Sequence, residues 1–133
     1  VEKKRLGDSD MEITRVGLGA WAIGGEWTYG WGPQDDAESI RTIRGALDRG
    51  VNWIDTAAAY GLGHSEEVVG KAIKGRADRP YIFTKCGIVW DESGTVSRTI
   101  EGTSISIYRC IQLLRGPARE GRPHRAGHLS STP

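Results

Sequence analysis

Val51–Gly87 runs VNWIDTAAAYGLGHSEEVVGKAIKGRADRPYIFTKCG, and the order of elements in this stretch decides the fold. Val51–Ile54 is a short apolar run that reads as a buried strand, and Tyr81–Thr84 is a second. Between them Ser65 opens a helical pattern in which Val68, Val69, Ala72 and Ile73 supply the apolar face. Glu66 and Glu67 stand in its first turn, with Lys71, Lys74 and Arg76 toward its end, matching the helix dipole. Asp78-Arg79-Pro80 is a turn. Strand, helix, strand implies a parallel pair joined by a crossover. Asp55 and Tyr60 follow the first strand and Lys85 ends the second. An acid, a phenol and an amine thus fall at the carboxyl edge of the strands, where α/β proteins build their sites.

Working toward the N-terminus, Asp35 or Asp36 caps a helix running to about Asp48, with Ile40, Ile43, Ala46 and Leu47 on one face and Arg49-Gly50 as its stop. Gly24–Pro33 (GGEWTYGWGP) is a loop whose Trp27, Tyr29 and Trp31 either wall a substrate pocket or pin the loop to the body. Val16–Gly19, continuing into Ala22 and Ile23, reads as a short buried strand. Turn residues Gly7, Asp8 and Asp10 place a small hairpin over Leu6–Val16. The class is α/β: a hairpin, then about three parallel strands with two to three helices.

Toward the C-terminus, Ile88–Thr95 is loop-like, with Asp91–Gly94 as a turn, and Arg98–Leu114 is either a helix or an extended segment. From Arg115 arginine, glycine and proline recur without apolar periodicity. The expected division is a β/α domain over 1–114 and an irregular tail over 115–133.

Composition narrows the partners. Of 133 residues, Lys+Arg is 18 and Asp+Glu 17, so nothing asks for nucleic acid or an anionic membrane surface. No apolar run approaches the roughly 20 residues of a membrane span. Cys86 and Cys110 are too few for a disulfide framework and lie in no metal-ligand spacing, so no metal and a reduced, cytoplasmic setting are expected.

Asp55, following an apolar strand, is expected to be partly buried and to need a cation, and Lys85 is the one at hand. A plain structural ion pair explains both. Tyr60 adds chemistry: a phenol beside an ammonium is a stronger acid, because the charge favours the phenolate, and such a group donates a proton to a developing alkoxide.

These residues carry a resemblance. Asp55-Thr56-Ala57, Tyr60-Gly61, Ser65-Glu66, Val69-Gly70 and Thr84-Lys85 are similar to the aldo-keto reductases, as are Leu6-Gly7, Val16-Gly17-Leu18-Gly19, Trp21 and Arg49-Gly50-Val51-Asn52. The resemblance covers roughly residues 5 to 105. It implies part of an eight-stranded (β/α), or TIM, barrel with an N-terminal hairpin, and an oxidoreductase that reduces aldehydes and ketones with NADPH. Carried over, Tyr60 is the proton donor, Lys85 raises its acidity, and Asp55 pairs with Lys85. Gly19, Ala20, Trp21 and Asp55 would lie at the nicotinamide end of the cofactor. Trp27, Trp31 and Trp90 would line the pocket of a small carbonyl compound.

The departures carry expectations of their own. A complete barrel takes about 250 residues, and the family's catalytic His, normally in a Gln-x-His-Trp-Pro context, is missing. His64 lies in the Tyr60 loop and is not that residue, while His124 and His128 lie in the tail. The adenosine-phosphate site, late in the barrel, is expected to be absent. Residues 116–133 can be back-translated so that a one-base shift reads ALRERVDHIELVIYLQHP, which resembles the family's third helix, fourth strand and His motif. A truncated, frame-shifted reductase is thus expected, checked by sequencing the gene downstream. An incomplete barrel exposes a sheet edge and an apolar face, so the chain is expected to be a homo-oligomer. The remaining functional readings are a cofactor-independent enzyme, such as a hydrolase reusing Tyr60 or Lys85, and a non-catalytic homo-oligomer.

Overall fold

The structure, a computed structural model, describes residues 1–85 and 87–96 in full and the backbone of 97–98 and 108–111. Strands β1 (Lys3–Arg5) and β2 (Glu12–Thr14) form the N-terminal antiparallel hairpin. It begins earlier than the Leu6–Val16 expected. All three side chains of β1 are exposed, so no apolar alternation marks it. Leu6–Met11 makes the turn, closed by the Leu6 N–H donating to the Met11 carbonyl at 2.9 Å.

The chain then enters a parallel sheet. Strand β3 is only Leu18–Gly19, shorter than the run expected through Ile23. The Ala20 N–H still donates to the Asp55 carbonyl at 2.8 Å, but Trp21 adopts a helical backbone (φ −61°, ψ −50°) and opens a 3-10 turn at Ala22–Gly24. Helix α1 (Asp36–Asp48) is capped by Asp35, whose carboxylate accepts the Glu38 N–H at 3.0 Å. Gly50, at φ +90°, carries the chain out of the helix in a conformation that favours glycine. Strand β4 (Trp53–Asp55) follows, then helix α2 (His64–Ile73), which starts one residue before Ser65 with Gly63 at its cap. Strand β5 (Tyr81–Lys85) completes the parallel set: Leu18, Ile54 and Ile82 are in register, as are Gly19, Asp55 and Phe83.

Beyond β5 the loop expected over Ile88–Thr95 is instead an antiparallel hairpin, β6 (Ile88–Trp90) with β7 (Val96–Arg98). The Asp91 carboxylate accepts the N–H groups of Ser93 and Thr95, each at 2.9 Å, and so builds the Asp91–Gly94 turn. Three-residue strands are too short to show periodicity, so only the turn was legible. Of the two alternatives for Arg98–Leu114, the extended one is found at β8 (Tyr108–Ile111), which lies antiparallel beside β5. Residues 99–107 and 112–114, Cys86, and the tail over 115–133 with His124 and His128 lie outside the described residues.

Both helices cover one face of the sheet. Ala20, Ile23, Ile43, Leu47, Ile54, Val68, Val69 and Ala72 form the buried cluster. Ile43, Ile54 and Val68 are fully buried, and each such side chain contributes about 1.5–3 kcal/mol. The helices are tied at both ends: His64 Nε2 lies 2.8 Å from Asp36 Oδ1, and Arg44 Nε donates to the Ala72 carbonyl at 3.0 Å. Arg76 bridges Asp48 and Asp78, each at 2.8 Å. Among the described residues no helix is long and apolar enough to cross a membrane.

Candidate active site

Alternation along β4 sends Ile54 into the helix-covered core and leaves Trp53 and Asp55 on the opposite face. Because Asp55 is in register with Phe83, the same alternation puts Phe83 and Lys85 of β5 on that face. Lys85 Nζ donates to Asp55 Oδ2 at 2.7 Å and to the Thr56 carbonyl at 3.0 Å. The two side chains are 28% and 31% exposed, so the pair is half-buried.

Tyr60 arrives on the turn after β4. Its N–H donates to the Ala57 carbonyl at 3.0 Å, and its own carbonyl accepts the Ser65 N–H at 3.1 Å. Lys85 Nζ stands 4.9 Å from the centroid of the Tyr60 ring, within the range of a cation–π contact. Lys85 therefore contacts both the acid and the phenol of the sequence. They come from different elements, and β-sheet register alone puts Asp55 and Lys85 on one face.

The Trp-rich segment packs onto Tyr60. Trp21 stacks on the Tyr60 ring, with centroids 6.2 Å apart and planes at 21°, and the Trp27 ring is 6.3 Å away. Trp21 Nε1 donates to the Tyr29 carbonyl at 3.0 Å, closing the loop on itself. Of the two sequence readings of this loop, the pinned one is seen: Trp27 packs against Tyr60 and Trp21 holds the Tyr29 carbonyl. Trp31 reaches the cluster through Trp21, at 6.3 Å, and is 70% exposed. Trp90 sits half-buried on the β6–β7 hairpin and makes no ring contact with this cluster among the described residues. A Cβ on Gly19 would meet nothing within 4 Å, so the sheet edge beside Asp55 is open there.

Burial pushes the Lys85 ammonium down, but its hydrogen bonds to Asp55 and Tyr60, with their charges, outweigh that and hold it above the usual lysine range. A cation whose pKa rises on folding stabilises the folded chain at every pH below its ordinary value. That contribution is lost as pH climbs through the raised value. The melting temperature is therefore expected to be insensitive to this pair up to about pH 10, the ordinary lysine range, and to fall above it. In Lys85→Met this alkaline step should shrink, as read by thermal melts across pH 7–12 against the parent chain. The effect is modest, because both partners are partly solvated.

The roles of four neighbours were not legible in the sequence. Thr56, Ser65, Glu66 and Thr84 form hydrogen bonds behind the Asp55–Lys85 pair. All four stand in the motifs that resemble the family, and Thr84 is a polar residue closing an apolar run, but nothing in the sequence shows which atoms they bond. Among the described residues no cluster of three or more His, Cys, Asp or Glu side chains could hold a metal.

Residues 15–116 match the model of the aldo/keto reductase family, well over half of the 133 residues. The chain belongs to the aldo/keto reductase family. The aldo-keto reductase YhdN of Bacillus subtilis is 50% identical over 92 residues, 68% of this chain and 27% of that protein. The NADH-specific methylglyoxal reductase of Escherichia coli is 42% identical over 97 residues, 72% of this chain and 29% of that protein. Among solved structures, the glycerol dehydrogenase AKR11B4 from Gluconobacter oxydans superposes with a TM-score of 0.59 at 46% identity, over 72% of this chain and 30% of that one. The parallel β3–β4–β5 set with its two helices is thus part of an aldo/keto reductase β/α barrel, and the chain spans under a third of the length of these relatives.

Proposed function

We propose that this chain carries the proton-transfer part of a carbonyl reductase site. The observation that carries the reading is the position of Lys85 Nζ, which bonds Asp55 Oδ2 at 2.7 Å while standing over the Tyr60 ring. Tyr60 donates its phenolic proton to the oxygen of a small aldehyde or ketone as that oxygen takes on negative charge. The Lys85 ammonium stabilises the negative charge left on the phenol. Asp55 and the Thr56 carbonyl hold the ammonium in place, so that little reorganisation is needed as charge develops. Trp21 and Trp27, packed against the Tyr60 ring, shield one side of it from water, and Trp31 extends the aromatic surface beyond Trp21.

The group this chemistry requires is a reduced nicotinamide dinucleotide, NADPH by the family resemblance. Its nicotinamide end fits the residues present. Gly19 leaves the sheet edge open, Ala20 and Asp55 border that edge, and Trp21 offers a ring 46% exposed beside Tyr60. When bound, that group supplies the hydride to the carbonyl carbon.

A titration of the purified chain with NADPH, followed by nicotinamide fluorescence, tests the reading. Saturable binding that weakens about tenfold in Trp21→Ala is the expected result; one lost stacked ring is worth on the order of 1 kcal/mol. If NADPH does not bind and activated esters are turned over without it, the reductase reading is wrong. The cofactor-independent use of Tyr60 and Lys85 then takes its place.

A further inference from the structure

Two polar side chains on the first turn of α2 reach the ends of all three parallel strands. Ser65 is fully buried, and its Oγ donates to the Ala20 carbonyl at 2.8 Å, just past β3. The same Oγ lies 3.0 Å from Thr56 Oγ1, just past β4. A serine hydroxyl has one proton. With that proton on Ala20, Thr56 is the donor in the second bond, and the chain of hydroxyls runs Thr56 to Ser65 to the Ala20 carbonyl. One residue on, Glu66 Oε1 accepts from Thr84 Oγ1 at 2.6 Å, next to Lys85 on β5. The Ser65 N–H also holds the Tyr60 carbonyl, at 3.1 Å.

The strands themselves fix these ends poorly. β3 contributes two residues and β4 three, so the ladder between them has only two paired positions. Yet the site needs Ala20, Thr56, Tyr60 and Lys85 at fixed spacing, since Lys85 bonds the main-chain carbonyl of Thr56 whose side chain bonds Ser65. We infer that Ser65 and Glu66 are positioning residues: the first turn of α2 clamps the three strand ends so that Lys85 meets Asp55, the Thr56 carbonyl and Tyr60 together. This rests on the proposed roles of Asp55, Tyr60 and Lys85, but the geometry can be tested without turnover.

Thr56→Val and Thr84→Val each delete one hydroxyl of the clamp while leaving every charge in place, whereas altering Glu66 would remove a charge as well as the bond. Thr56→Ser and Thr84→Ser keep the hydroxyls. Ser65→Ala only removes an oxygen and is read in parallel. The readout is the titration midpoint of the Lys85 ammonium by side-chain NMR on the chain without cofactor. Asp55 and Tyr60, the groups that face it, are unchanged in every variant. Ser65→Ala and the two valine variants are expected to lower that midpoint by about half a pH unit or more, as a stretched hydrogen bond to a charge would, and the two serine variants to restore it. The proposal is overturned if the midpoint stays within about 0.1 unit of the parent in any of the three perturbing variants that keeps a folded amide spectrum. It is equally overturned if all three unfold, since that is a role in the fold rather than the site. Tyr60→Phe tests the proton-donor role by turnover, so the two readings fail separately.

Discussion

Replacing Tyr60 with Phe is expected to lower carbonyl reduction by about 10²- to 10⁴-fold, the range over which a positioned general acid contributes, while leaving the fold intact. The ring contacts survive the change. Trp21 and Trp27 pack on the aromatic face, and the Lys85 ammonium stands 4.9 Å from the ring centroid. Only the hydroxyl is lost, and with it the proton and one of the hydrogen bonds that hold Lys85 up. The loss should appear in kcat more than in KM, because the proton moves only as charge develops on the substrate oxygen. Steady-state rates with a small aldehyde and NADPH, beside a thermal melt, check both halves. Unchanged turnover in a folded Tyr60→Phe chain would remove Tyr60 from the mechanism.

The second large effect is expected at Gly61. This residue holds φ +61°, and a Cβ placed on it would stand 1.9 Å from the Gly24 carbonyl oxygen. From the other side, a Cβ on Gly24 would stand 2.7 Å from the Gly61 nitrogen and the Tyr60 carbonyl carbon. Two glycines thus allow the start of the Trp-rich loop to touch the backbone that carries Tyr60. Gly61→Ala adds the left-handed backbone penalty to a backbone clash that no rotamer relieves, together about 3 kcal/mol or more. Thermal melts should fall by about 10 °C. The ring stack of Trp21 on Tyr60 should open as the loop is displaced, which tryptophan fluorescence would detect. Gly7→Ala is the control. Gly7 also has positive φ, +55°, but a Cβ there meets nothing within 4 Å, so it should cost only the backbone part, about 1–2 kcal/mol. Equal losses at the two positions would mean that the Gly24–Gly61 approach does not hold the loop.

Helices were the most legible part of the sequence, and short strands the least. The apolar face of α1, its Asp35 cap and its Gly50 exit follow from spacing and from residue types that act within one turn. β4 and β5 were found within a residue or two, because each is a compact apolar run between turn signals. β1 and the β6–β7 hairpin were not: Lys3-Lys4-Arg5 is wholly exposed, and Ile88 and Val89 are more than 40% exposed, so neither buries a face that would force alternation. At the site, Asp55, Tyr60 and Lys85 could be picked out because ionisable and phenolic groups at strand ends are chemically conspicuous. The bonds of Thr56, Ser65, Glu66 and Thr84 could not be read, since a hydroxyl, or the carboxylate that accepts from it, acquires a role only from the partner it meets.

The sequence by itself determined the class of the protein and which ionisable and phenolic groups stand near its strand ends. The β-α-β-α-β order follows from hydrophobic period, and an acid, a phenol and an amine at strand ends follow from composition at those positions. Only the tertiary structure decided how they meet. Parallel register brings Asp55 opposite Phe83, so that Lys85, two residues on, faces it across the sheet. The Gly24–Gly61 contact sets the rings against Tyr60, and α2 reaches back to three strand ends. These are contacts between residues 9 to 45 positions apart. Local propensity extends over a few residues, whereas such contacts depend on how the whole sheet and both helices pack.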